Sequence, residues 1–179
     1  MADNYLDFSE VIPALTVEEE AWLKSQLEQV RVIDGVEYAV DDVPEALQDK
    51  DPDWLGCRAY RDLEGYDADF GEEVGFEYSF SKDEDWGRHL WLYTEQWGYV
   101  ERVAHLVQKF FKEFRPDQCW SLTWATTCSK LSVGQFGGGA VFVTASEIKW
   151  QITDDFVEEQ TKAFRESRKE ESDENASDS

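Results

Sequence analysis

Hydrophobic residues along this chain change period several times, and each change marks an element. After the stretch TVEE, Trp22, Leu23, Leu27 and Val30 recur at the spacing of a helix face. The Thr16 hydroxyl can accept from the Glu19 amide while the Glu19 carboxylate reaches back, a capping box that starts the helix at Thr16. The run VRVIDGVEYAV then places β-branched residues on both sides of Asp34-Gly35. That dipeptide admits positive φ at both central turn positions and predicts a β-hairpin. From Asp41 to Gly75 the chain turns to Asp, Glu and Gly, with strand-like residues only around Leu55 to Leu63. This reads as long acidic loops around one strand.

VGFEYSF alternates, with Phe76, Tyr78 and Phe80 on one face, and RHLWLYTE returns after an SKDEDWG turn as its antiparallel neighbour. The strongest helical pattern is YVERVAHLVQKFFKEF. Val100, Val103, Val107, Phe110, Phe111 and Phe114 line one side, while Glu101, Arg102, Lys109, Lys112 and Glu113 take the other, which leaves His105 solvated. Pro116 follows the end. CWSLTWATTCSK alternates with Trp120, Leu122 and Trp124 on one face, and GGAVFVTASEIKWQ reads as one further strand. DFVE caps a last helix near Asp155 that runs to about Arg168. The remaining KEESDENASDS is polar and of low complexity, a disordered acidic tail over 169–179.

The element order predicts an α+β fold: a mainly antiparallel sheet with helices packed on one face, and a ββαββ unit in the C-terminal half that suits a ferredoxin-like arrangement. Residues 1–168 form one domain, with an acidic part over 1–80 and a neutral part over 81–150. A hydrophobic content of 41% with eight Trp is too apolar for a disordered chain. No run approaches the roughly 20 apolar residues of a membrane span. The opening MADNYLDFSEVIPAL lacks the basic start of a signal peptide. Three cysteines without CxxC spacing argue against a disulfide framework and for the reducing cytoplasm.

Charge changes the picture most. The net charge is −23, and it is segregated: residues 1–80 carry 22 Asp/Glu against 5 Lys/Arg, whereas residues 81–150 carry 8 of each. Self-repulsion at such density destabilises a compact state. The acids Asp41, Asp42, Glu45, Asp49, Asp51, Asp53, Asp62, Glu64, Asp67, Asp69, Glu72 and Glu73 are interleaved with Trp54, Tyr60, Tyr66 and Phe70. Aromatics amid charge characterise protein-binding faces.

Catalytic and ligand motifs are weaker. Gly137–Gly139 lacks the GK[ST] of a phosphate loop and leads into a strand rather than a helix, so it reads as a turn or a close approach of two strands. Asp49, Asp51 and Asp53 match the first EF-hand ligand positions, but Trp54 stands where the turn needs glycine and Tyr60 where a bidentate Glu is required. Two histidines cannot build a His-rich metal site, and Cys57 and Cys128 lack a nucleophile context. No cofactor or metal is expected.

These residues predict a non-catalytic acidic module that occludes a basic partner surface, with Asp41, Asp42, Glu45, Asp49, Asp51, Asp53, Trp54, Asp62, Glu64, Tyr66, Asp67, Asp69, Glu72 and Glu73 as its binding face. The expected partner is a nuclease, a toxin or a DNA- or RNA-binding complex, with carboxylates standing in for phosphates as in an inhibitor, immunity protein, antitoxin or anti-defence protein. With no basic patch, direct nucleic-acid binding is not expected, nor is a membrane. The competing reading is a small enzyme or ligand-binding domain with Trp91, Tyr93, Trp120, Trp124 and Trp150 lining a pocket and Glu95 or His89 as its polar group. A surface adapted to high salt is disfavoured by the neutral stretch 81–150.

Overall fold

The computed structural model describes residues 4–61, 63, 74–130 and 135–177, with side chains as far as residue 166. At its centre is a strand absent from the expected element order. Asn4–Ile12 forms β1, with Phe8 and Ile12 buried at alternating positions. The period-2 signal in NYLDFSEVI was present, but Glu10 interrupts it on the core-facing side.

The elements that follow are α1 (Val17–Gln26), β2 (Gln29–Ile33), β3 (Val36–Ala39), β4 (Trp54–Cys57), β5 (Glu77–Asp83), β6 (Gly87–Thr94), α2 (Val100–Phe114), β7 (Cys119–Cys128), β8 (Gly137–Thr144), β9 (Ile148–Ile152) and α3 (Thr153–Ser177). Six strands form one antiparallel sheet in the order β5-β6-β1-β7-β8-β9, and β3-β2-β4 form a second. The fold is α+β, as the pattern predicts. Because β1 pairs antiparallel with both β6 and β7, those two strands are parallel to each other, and α2 is the crossover between them. A crossover must pass over one face of the intervening strand, which places α2 on one side of the sheet.

The core lies between that helix and the sheet. Val103, Val107, Phe110 and Phe111 of α2 meet Phe8, Ile12, Leu90, Leu92, Leu122, Val141 and Val143 from the strands. Trp22 of α1 packs edge-on to Phe114 at 5.6 Å. The capping box at Thr16 is complete in both directions. Arg115, at the end of α2, locks α1 to the sheet: it bonds both carboxylate oxygens of Glu19 at 2.7 and 2.9 Å and donates to the carbonyls of Pro13 and Ala14.

Several local expectations are corrected. The predicted strand over Leu55 to Leu63 ends at Cys57, and a tight turn over Arg58–Tyr60 follows. That turn covers the flank of α2 expected to face solvent. Arg102 is buried with its guanidinium 4.3 Å from the Tyr99 ring centre, Lys109 donates to the Ala59 carbonyl, and His105 is half-buried. The single strand expected over Gly138 to Gln151 is two, β8 and β9. The Thr144 hydroxyl accepts from the Glu147 amide and the Thr144 amide donates to the Glu147 carbonyl, which closes a turn. The last helix, expected to end near Arg168, continues to Ser177, with no Gly or Pro to stop it. Among the described residues no helix is long and apolar enough to cross a membrane.

Candidate acidic docking segment

The small sheet explains how half of the predicted acidic face is displayed. Asp34 (φ 53°) and Gly35 (φ 75°) make the expected hairpin turn between β2 and β3. β3 and β4 flank β2 on opposite edges, since Val30 faces Ala39 on one side and Gly56 on the other. Residues 40–53 leave one edge and enter at the other, so the chain has to cross a face of β2.

Backbone groups hold this crossover down. The Arg31 guanidinium, standing on β2, donates to the carbonyls of Gln48 and Lys50 at 3.3 and 2.9 Å. The Asp53 amide donates to the Val32 carbonyl at 2.7 Å, the Gly35 amide donates to Asp53 Oδ2 at 3.1 Å, and Lys50 pairs with Asp34. Val43 is the buried apolar plug. With the underside built from carbonyls and Val43, the side chains of Asp41, Asp42, Glu45, Asp49, Asp51 and Asp53 are exposed. Trp54 is half-buried where β4 begins. Asp53 also caps the hairpin turn, a local role the sequence reading did not assign. Asp62, Glu64, Tyr66, Asp67, Asp69, Glu72 and Glu73 lie outside the described residues.

The nearby cations are directed elsewhere. Arg58 pairs with Glu28 and Glu37, both at 2.8 Å, and Arg61 reaches Glu37 at 3.0 Å. Glu20 takes Lys24 and Arg88, and these bonds hold its carboxyl below the usual range. Among the described residues, none of the six crossover carboxylates forms an ion pair with arginine or lysine. Tyr60, expected among the aromatics of the face, is instead fully buried.

The aromatic set of the competing pocket does not converge. Trp91 and Tyr93 stack at 4.1 Å on the sheet face away from α2, where the Trp91 indole donates to Ser9. Trp120 lies in the core on the opposite face, and Trp124 meets Trp150 edge-on at 6.0 Å on that same side. Alternation along β6 and β7 forces this split. His89 is buried with Nδ1 3.0 Å from the Gly87 carbonyl oxygen, and Glu95 is exposed. Burial pushes the Cys57 thiol up to about 11, and the thiol donates to the Gln26 carbonyl, so it is a packed group rather than a nucleophile.

The glycine run serves close approach. A side chain at Gly139 would run into the Trp124 ring, and one at Gly138 (φ 142°) would meet the Trp124 carbonyl oxygen. Comparison of the chain with protein-family models, curated proteins and solved structures finds no match.

Proposed function

We propose that this chain is a non-catalytic binding module whose acidic crossover, residues 40–53, docks on a basic protein surface and occludes it. The observation that supports this most is the division among its acids. Glu19, Glu20, Glu28, Asp34 and Glu37 absorb the neighbouring arginines and lysines, while Asp41, Asp42, Glu45, Asp49, Asp51 and Asp53 stay exposed without one. Exposed like charges repel one another, and a basic partner removes that repulsion on binding. Long-range attraction also speeds encounter. Carboxylates spread along an extended segment stand in for a phosphate backbone, which favours a nuclease, toxin or DNA- or RNA-binding complex as partner. The reading includes a cytoplasmic setting, which cysteines without a disulfide pattern favour.

The test is competition. The immobilised full chain is used to capture proteins from lysate, and each captured protein is then assayed for nucleic-acid binding with and without the soluble chain. The expected result is a basic protein whose nucleic-acid binding is titrated away, with capture weakening as NaCl rises from about 0.05 to 0.5 M. The variant D41N/D42N/E45Q/D49N/D51N, checked for an unchanged circular dichroism spectrum, loses capture. Retention of full binding by that variant overturns the proposal.

A further inference from the structure

A second feature shares no residue with the crossover. At the end of the sheet where β1 and β7 pair, a cavity of about 350 Å³ opens between the loop after β6 and the start of α3. Hydrogen bonds tie its walls to the sheet and to the start of α2. The Leu6 amide donates to the Gln96 carbonyl, the Thr94 hydroxyl donates to the Trp97 carbonyl, and the Tyr99 amide donates to the Gly75 carbonyl. Gly98 is pressed so closely on the core that a side chain there would crowd Thr94, Phe8 and the Gly75 carbonyl. Trp97 lines the cavity and is 55% exposed, with its ring edge-on to Tyr99 at 6.0 Å.

Phe136, 50% exposed, lines the same cavity from the chain just before β8, and Tyr5 lines it from β1. Among the described lining residues Asp154 brings the one carboxylate. The Thr153 hydroxyl pins the start of α3 to the Gly138 carbonyl at 2.8 Å. Gly137 leaves open the space beside it, where a side chain would come 3.0 Å from the Thr126 hydroxyl and 3.8 Å from the Asp154 carboxylate. The first of the three glycines thus keeps clear the space beside the Asp154 carboxylate.

An acid in the first turn of a helix offsets the helix dipole, and Asp155 beside it does the same. That role does not account for two exposed aromatic rings lining one cavity with the carboxylate. Ring faces carry negative quadrupole potential and the carboxylate adds a full negative charge, so this combination selects a cation and repels an anion. The cavity is of the size that holds a small molecule. We infer that it binds an alkylated ammonium group, seated against Trp97 and Phe136 with Asp154 as counter-charge.

Two sources carry that chemistry, a free quaternary amine and a methylated lysine side chain, and titration calorimetry of the full chain separates them. The probes are choline, its uncharged isostere with carbon in place of the ammonium nitrogen, and a short trimethyllysine peptide beside its unmodified form. Saturable binding of choline supports a free amine, and binding of the trimethyllysine peptide alone supports the protein-borne source. In either case the uncharged or unmodified control binds at least about tenfold more weakly. Trp97→Ala abolishes binding and Trp97→Phe retains it. Asp154→Asn weakens the charged probe about tenfold and leaves the isostere unchanged. Equal binding of probe and control, no binding of either charged probe, or full binding by a Trp97→Ala variant with unchanged far-ultraviolet circular dichroism and melting temperature overturns the inference.

Discussion

Two groups of acids in the N-terminal half are alike in residue type and opposite in situation. Around α1 and the β2–β3 hairpin most acids have a cation: Glu19 has Arg115, Glu20 has Lys24 and Arg88, and Glu28 and Glu37 share Arg58, while Glu18 at the helix start is exposed. Along the crossover none does among the described residues, where Arg31 spends its donors on the Gln48 and Lys50 carbonyls and Lys50 turns to Asp34. Net charge does not distinguish the two groups. What separates them is whether the fold brings a guanidinium or ammonium from another element into reach. The paired group ties elements of the fold together, and the crossover group faces solvent.

The comparison breaks most visibly at Arg115. Arg115→Ala leaves the nearly buried Glu19 charge with only the Thr16 amide and frees the Pro13 and Ala14 carbonyls, so stability falls by about 3 kcal/mol in urea unfolding. A smaller effect appears in acid. The bond from Arg115 holds the Glu19 carboxyl below its ordinary value of 4.5. A depressed folded pKa means that this stabilisation is fully present above 4.5 and is lost as pH falls through the lower folded value. Unfolding curves of the wild type should therefore steepen against pH below that point, and those of Glu19→Gln should be flatter there.

Smaller still is Arg31→Ala, which loosens the crossover and costs about 1 kcal/mol, with faster amide exchange at Gly35 and Asp53. Smallest is the neutralised crossover itself. D41N/D42N/E45Q/D49N/D51N should change stability by no more than about 0.5 kcal/mol, or raise it slightly as repulsion is relieved. A loss of several kcal/mol there would put the crossover acids in the structural group and end the distinction.

Part of this was legible from residue order. The TVEE cap, the Asp34-Gly35 turn, the alternation in VGFEYSF and the stripe from Val100 to Phe114 are local signals. Each depends on hydrogen bonds or side-chain spacing within a few residues; the cap, the turn and the helical stripe stand where the pattern placed them, while the strand marked by VGFEYSF begins only at Glu77 and runs to Asp83, through residues read as turn. β1 was missed because Glu10 breaks the alternation of a strand that is otherwise stabilised by β6 and β7, distant in the chain. Arg102 looked solvent-facing because the Arg58–Tyr60 turn that covers it lies some forty residues earlier.

The candidate sites divide along the same line. The sequence alone determined which segments hold acid, where turns and helix starts fall, and that Gly137–Gly139 is no phosphate loop, since these follow from local conformational preference and residue chemistry. Only the tertiary structure decided that the Asp41–Asp53 carboxylates form no ion pair among the described residues, that Trp91 and Trp120 lie on opposite faces, and that Trp97, Phe136 and Asp154 line one cavity. Those facts are distances between segments far apart in the chain, and strand order and crossover set them after the local preferences have been satisfied.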